Sequence, residues 1–277
     1  MRQLSEIDDN FTNAWTAYRP NASYYAMLTL VTALIAFGLF LLIFGVLAIA
    51  SIPSIIALFN WFQDVINDKT TQVPAMAHFI WIGTALVLLM IANGFIRSWQ
   101  NAAIWMAFSA PTRMKISHIL KQAVALTPRY FGLGLLSSLI VGAGTMLFIV
   151  PGILFSGWFT FSGIAAQKKT IMESLKYSRS LVMNRWWAII IRLALGSIIA
   201  IMIPQILSSV ISGILSSGSQ EYNIGTALGI LVSLAFGIFQ VFFLTQWYTA
   251  YKYVVYLNAV ESLETTPSEL PAAPQAQ

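Results

Sequence analysis

The chain has 277 residues, a formal net charge of +5, 58% apolar residues and only 9% charged residues, whereas a soluble globular domain carries about 25% charged residues. These values exclude a soluble fold and predict an all-α, polytopic membrane protein. The chain has no cysteine, which excludes disulfides, thiolate metal sites and cysteine nucleophiles.

Six apolar segments predict six transmembrane helices in a single domain over residues 1–260. They lie at residues 24–50, 79–108, 132–150, 152–166, 187–215 and 224–257. Runs such as the first hold enough residues to cross a hydrocarbon core about 30 Å thick. Residues 261–277 are polar and rich in Pro and Ala. We expect them to form a disordered cytoplasmic tail.

The basic residues predict the orientation of the spans, because Lys and Arg accumulate in cytoplasmic loops. Most of them fall on one side of the predicted spans: Arg2, Arg19, Arg113, Lys115, Lys121, Arg129, Lys168, Lys169, Lys176, Arg179 and Arg185. We therefore expect a multi-pass protein of the cell (inner) membrane with both termini in the cytoplasm. The net charge is then a topology signal, and nucleic acid is not an expected partner.

A weak internal repeat links the three cytoplasmic segments. In each, an amphipathic stretch and a basic residue precede an aromatic pair that opens a span: Tyr24-Tyr25, Tyr130-Phe131 and Trp186-Trp187. This pattern predicts three units, each an interfacial helix followed by a transmembrane hairpin. The alternative is that basic, aromatic-flanked loops are general to membrane proteins and no true repeat exists.

The region around residues 145–190 resembles the membrane-domain family named after glycerophosphoryl diester phosphodiesterases. The matching features are Pro151-Gly152-Ile153, the aromatic pair Trp158-Phe159, the triplet Glu173-Ser174-Leu175 with Ser178 and Leu181, and then Arg185-Trp186-Trp187. The chain departs from the family pattern at Ser174, where alanine is usual, and at Gln167-Lys168-Lys169, where an acidic residue is frequent. The resemblance implies a six-helix membrane fold. It implies no activity, since the family name comes from fusions to a catalytic domain.

The sequence offers no catalytic or metal-binding constellation. Phosphodiester chemistry needs several carboxylates and imidazoles around a cation, but the two histidines, His78 and His118, fall on opposite sides of the predicted membrane. Asp64 and Asp68 near His78 suggest either a weak metal site or a solvated helical loop. We expect the second, and therefore no enzyme, no cofactor and no resident metal.

A polar stripe on the second span is the candidate binding site. Asn93, Arg97 and Asn101 recur at every fourth position with Gln100 beside them, so they share one helix face. If the helix is continuous to Phe108, Arg97 lies about 16 Å from its cytoplasmic end and is a candidate site for a lipid head group, an anion or a partner's carboxylate. If the span ends near Ile96, Arg97 snorkels to the interface and the following residues lie flat.

Three further patterns predict local structure. Pro151-Gly152 indicates a tight hairpin turn or a re-entrant break, and Pro204 indicates a kink in the fifth helix. Arg192 and Lys252 are expected to snorkel. Small residues at every fourth position of the sixth span predict a close helix contact, either within the chain or with a partner: Gly225, Gly229, Ser233 and Gly237.

Together these patterns predict a non-enzymatic integral membrane protein that binds or organises lipids or a membrane partner. Membrane lipids are the expected partners, with another membrane protein or a second copy of the chain as further candidates. Seven basic residues are predicted to attract anionic head groups: Lys121, Arg129, Lys168, Lys169, Lys176, Arg179 and Arg185. The alternative is a small transporter with a substrate path along the second helix, although its polar residues are confined to one span.

Overall fold

A computed structural model describes residues 6–67, 75–110, 112–216 and 224–264, and every regular element in this part of the chain is helical. The α-helices are α1 (Ile7–Tyr18), α2 (Ala22–Ile66), α3 (Met76–Ser109), α4 (Ile116–Leu147), α5 (Ile149–Trp158), α6 (Ser162–Ala165), α7 (Ile171–Val182), α8 (Trp186–Ser197), α9 (Ile203–Ser216), α10 (Ile224–Phe239) and α11 (Thr245–Glu264). Five helical stretches are long and apolar enough to cross a membrane, and a shorter apolar stretch covers Ile149–Ala165. The predicted polytopic all-α fold is confirmed.

The five long helical stretches and the shorter one form three antiparallel hairpins. The first is α2 with α3, the second is α4 with α5, and the third is α8 and α9 with α10 and α11. Helix α3 packs on α4, α5 packs on α8, and α11 and the turn before it pack on α2. The hairpins therefore stand in a ring in chain order, with the third closing on the first.

The buried core lies at one end of this ring, the end that carries α1 and α7. Two clusters of buried apolar side chains meet there, drawn from the ends of α2, α3, α4, α8 and α11 together with α1 and α7. Toward the other end the apolar side chains are exposed, as at Leu42, Ile49 and Ile214. This is the distribution expected of helices whose outer surface faces lipid, where apolar groups need no partner.

Helix α1 is part of this core. Its Phe11 ring stacks on Tyr251 at 4.7 Å between centroids, and Asn10 is buried, accepting a hydrogen bond from the Asn258 amide. The amphipathic N-terminal helix therefore packs along α11 instead of lying alone at the interface. The 3₁₀ turn Arg19–Asn21 then leads into α2, and the rings of Tyr18 and Tyr25 stack across it.

Three helix boundaries differ from the prediction. Helix α2 continues to Ile66, well past residue 50. The predicted interfacial stretch before the third span is part of α4, which runs through Pro128 without a break. It stays helical because Ile119, Ala123, Tyr130 and Leu133 all bury one face of α4 in the core. Helix α11 continues to Glu264, so the predicted tail from residue 261 begins inside a helix. Residues 265–277 lie outside the described part of the chain.

The turn of the second hairpin does not lie at Pro151-Gly152. One extended residue, Phe148, separates α4 from α5, and Pro151 is the third residue of α5, in the first turn, where its missing N–H costs no hydrogen bond. Gly152 instead lets the two helices touch, because a Cβ there would lie 2.9 Å from Thr145 Cα. Helix α5 has only 10 residues, and turns at residues 159–161 separate it from α6.

The third hairpin contains two facing π-helical turns, Ile198–Met202 and Gln240–Leu244. Pro204 follows the first, and its ring and missing N–H account for the distortion predicted there. The Gln240 amide donates to the Ile201 carbonyl at 3.3 Å. The two irregular turns are therefore tied to each other by a side chain.

Candidate functional site

Helix α3 is unbroken from Met76 to Ser109, so residues 99–108 continue the same helix instead of lying apart from it. Arg97 is 12 positions before Ser109, which places its Cα about 18 Å along the axis from the helix end. The axial position predicted for a continuous helix is therefore the one in the structure.

The four residues of the polar stripe line one open cavity of about 370 Å³ between α2 and α3, in which Arg97 and Asn101 are exposed and Asn93 and Gln100 are half-buried. Ala36, Phe37 and Phe40 of α2 form its other wall. The Gln100 amide also donates to the Thr32 carbonyl at 3.3 Å, which ties α3 to α2. The described residues that line this cavity include one guanidinium and three amides but no carboxylate. Its chemistry is that of a receptor for an anion.

An apolar groove of about 510 Å³ adjoins this cavity. It is lined by Ile35 and Leu39 of α2, by Phe95, Ile96 and Trp99 of α3, and by the segment of α4 around Pro128. Ile96 lines both spaces. A cationic polar cavity and an apolar groove therefore meet on the same turn of α3.

A second polar cavity, of about 340 Å³, lies between α3, α4, α6 and α11. Asn101 lines this cavity as well as the first, so the two adjoin along α3. Lys252 of α11 is on its wall, with Nζ 6.0 Å from the centroid of the Trp105 ring and 5.5 Å from that of Tyr248. Sequence reasoning treated Lys252 as a snorkelling residue and missed this cavity. The signal that could have found it is the helical spacing of Thr245, Thr249 and Lys252, which places all three on the face of α11 that lines the cavity.

The seven basic residues predicted to attract head groups do not behave alike. Lys121, Lys168 and Lys176 are exposed. The Lys169 ammonium lies 4.6 Å from the centroid of the Tyr177 ring, and the Arg179 guanidinium lies at the same distance from that of Trp158. Both contacts still leave a charge at the surface.

The other two of the seven join elements of the fold. Arg129 donates to the Ala166 carbonyl at 3.1 Å. Arg185 donates to the Ser262 carbonyl at 3.1 Å and to the Ser262 hydroxyl, which fastens the start of α8 to the end of α11. These two arginines therefore have structural roles whatever their part in lipid attraction.

Of the small residues predicted as a contact face, Gly229 and Ser233 pack against α9 within the chain, whereas Gly237 does not. The Ser212 hydroxyl of α9 contacts Ser233 at 2.6 Å and donates to the Gly229 carbonyl at 3.1 Å. A Cβ at Gly237 would meet nothing within 4 Å. Gly225 lies in α10, but its contacts fall outside the described residues.

The acidic and histidine residues do not assemble into a metal site in the described part of the chain, where no three His, Cys, Asp or Glu side chains come together. The His78 ring nitrogen Nδ1 hydrogen-bonds with the Ser54 hydroxyl at 3.1 Å, and His118 pairs with Gln122 at 2.8 Å. Asp64 lies in α2, and Asp68 lies outside the described residues.

A serine of α7 organises the α1/α7 end, and sequence reasoning gave it no role beyond family resemblance. Ser178 is fully buried, accepts from the Phe161 N–H at 3.1 Å and donates to the Trp158 carbonyl at 2.6 Å. It thus satisfies two backbone groups at the turn after α5, which helps to shape the wall of the second cavity at Thr160 and Ser162.

Comparison with known protein families, with curated proteins and with solved structures finds no match for this chain.

Proposed function

We propose that this is a non-enzymatic integral membrane protein that binds lipids with anionic head groups, and that the α3 cavity around Arg97 is its binding site. The proposal rests on one observation, which is that four polar side chains line the same cavity: Asn93, Arg97, Gln100 and Asn101. A guanidinium and amide groups supply donors for a phosphate or carboxylate, and an anion offsets the cost of a cation inside a membrane domain.

The adjoining apolar groove favours a lipid over a small soluble anion. The groove offers almost only carbon surface from three helices, which suits an acyl chain, while the polar cavity suits a head group. A membrane partner with a carboxylate is the competing occupant. It would use Arg97 but would leave the groove without a role.

The test is native mass spectrometry of lipids bound to the purified chain. We expect Arg97→Leu to lower the affinity for dihexanoyl phosphatidic acid about 10- to 100-fold, since a hydrogen bond to a charged group contributes about 1.5 to 3 kcal/mol. Arg97→Lys should recover only part of it, because an ammonium lacks the planar fork of donors. Arg19→Leu, which removes the same charge from an exposed turn, is the matched control. Equal binding by all four proteins would refute the proposal.

The proposal includes an orientation, with the α1/α7 end and both termini on the cytoplasmic side of the inner membrane. The skew of Lys and Arg supports it. With no native cysteine, single cysteines at Ser117 and Ser180 should resist an impermeant thiol reagent in intact cells, whereas cysteines at Thr70 and Ser219 should react. The reverse labelling pattern would show the opposite orientation of the chain in the membrane.

A transporter with a path along α3 is the second candidate. The observation that favours it is that Asn101 lines both polar cavities, so that the two adjoin along α3. Uptake of labelled phosphate by proteoliposomes, lost in Arg97→Leu and kept in Arg19→Leu, would support it. Uptake no greater than that of empty liposomes would refute transport of phosphate and would leave lipid binding as the proposed function.

A further inference from the structure

The cavity around Lys252 lies inside the ring of hairpins and is formed by residues distant in sequence. Helices α3, α4, α6 and α11 all contribute to it. Its volume of about 340 Å³ has room for on the order of ten water molecules, which also accommodates a phosphate group. The cavity does not depend on Arg97, which lines the other space.

Lys252 is the one cation among the described residues that line this cavity, and no carboxylate accompanies it there. The ammonium is near two aromatic rings, and the Trp105 ring at 6.0 Å is at the limit of a cation–π contact. An ammonium held inside a membrane domain without a counter-ion is costly. An anion in the cavity would offset this cost.

The hydrogen-bond inventory of the cavity also points to an anion. The lining hydroxyls already donate their protons to backbone carbonyls: Tyr130 to Gly163, Ser137 to Gly134, Thr160 to Ser156, Ser162 to Phe159, Thr245 to Gln240, and Thr249 to Thr245. The hydroxyls therefore have no proton left for a ligand. Gln246 is only 3% exposed, and its amide has no hydrogen-bond partner among the described residues. The remaining donors that line the cavity are the Asn101 and Gln246 amides and the Lys252 ammonium, and no anionic side chain is among the described lining residues.

We infer that this cavity, which we name the Lys252 site, is a second binding site and that it takes a phosphate group. A phosphate has several acceptor oxygens and matches a point charge flanked by amide donors. The group belongs to a lipid head group or to a free phosphate, which share this chemistry. The inference stands apart from the proposed function because it rests on a different cation, although Asn101 lines both cavities.

The test titrates the purified full chain with dihexanoyl phosphatidic acid and, separately, with inorganic phosphate, followed by native mass spectrometry. We expect Lys252→Met to remove one bound ligand per chain and to weaken binding at that site about 10- to 100-fold. Lys252→Arg should retain binding. Lys115→Met, which removes an exposed Lys, is the matched control. Binding of phosphatidic acid alone assigns a lipid head group, and competition by inorganic phosphate assigns a free anion.

Gln246→Met keeps the test decisive if Lys252→Met does not fold, because it removes the buried amide and keeps the charge and much of the volume. It should weaken binding by a smaller factor. The inference is overturned if the wild type binds neither probe, or if Lys252→Met and Gln246→Met bind as the wild type does. Loss of ligand only in Arg97→Leu would refute the Lys252 site and support the proposed function. Loss of ligand only in Lys252→Met would support the Lys252 site and refute the proposed function.

Discussion

Replacing Ser178 with alanine tests how α7 is fastened to the second hairpin. The hydroxyl bridges the Phe161 N–H and the Trp158 carbonyl, and the side chain is fully buried. In Ser178→Ala the N–H loses its acceptor and the carbonyl loses a donor, in a place that water does not reach. A buried group left without its partner costs about 1 to 3 kcal/mol. We therefore expect the free energy of unfolding to fall by about 2 to 4 kcal/mol.

The measurement is reversible unfolding in mixed detergent micelles, followed by tryptophan fluorescence, with Ser180→Ala as the matched control. Ser180 lies two residues away on the same helix, is exposed, and donates only to the carbonyl of Tyr177. Its replacement by alanine should change the free energy of unfolding by less than about 0.5 kcal/mol. Equal stabilities for Ser178→Ala and Ser180→Ala would refute the role of the Ser178 bridge.

The remaining predictions concern the surface, the α7 cap and the second hairpin. Changing Lys168, Lys169 and Lys176 together to glutamine should lower co-purified anionic lipid, as each near-surface charge contributes about 1 kcal/mol; lipid content equal to the wild type would contradict this. The backbone N–H and hydroxyl of Thr170 hold the pKa of the Glu173 carboxyl below its ordinary value of 4.5. A carboxyl whose pKa is lowered in the folded state stabilises that state when the pH is above the ordinary pKa. This stabilisation should therefore fade as the pH falls below 4.5, and Glu173→Gln should lack this pH dependence. Gly152→Ala should destabilise the second hairpin, because the new Cβ would lie 2.9 Å from Thr145 Cα. The control Gly142→Ala should not, because nothing lies within 4 Å of its Cβ. Equal free energies of unfolding for the two variants would contradict the close contact.

The spans could be predicted because apolar length is a local property. A run of apolar residues must be helical in lipid, since each backbone group needs a partner within its own segment. The same reasoning placed Arg97, Gln100 and the two asparagines on one face of α3, and the structure brings all four to one cavity. Helical periodicity alone is enough for that result.

The turn at Phe148 and the continuity of α4 could not be predicted, because both depend on contacts between segments. Pro151-Gly152 reads as a turn by local preference, yet the close approach of α4 to α5 uses Gly152 as a contact and moves the turn to Phe148. In the same way, the burial of Ile119 and Tyr130 in one core outweighs the proline between them. Neither contact is visible in a single segment of sequence.

The Lys252 site was beyond sequence reasoning for a related reason. Thr245, Thr249 and Lys252 share one face of α11 by helical spacing, and all three line the cavity. This spacing does not say which other helix the face meets. Only the closing of the third hairpin on the first turns that face inward.

Both cavities lie where the close-packed core gives way to the part of the hairpins whose apolar side chains are exposed. At the α1/α7 end, amphipathic helices bring apolar faces together and bury them, which stabilises a close-packed core. Farther along the hairpins, apolar side chains are as well placed against lipid tails as against one another, so nothing draws the three hairpins into contact and their outer faces stay exposed. Between these two regions, α3 leaves the core, and its polar stripe borders the open cavity beside α2, where Arg97 and Asn101 are exposed. Of the donors on that boundary, the Gln100 amide is satisfied by the Thr32 carbonyl, whereas Arg97 and Lys252 line cavities that have no carboxylate among their described residues. An anionic group is the partner that we propose for these two cations, because it would supply the missing charge.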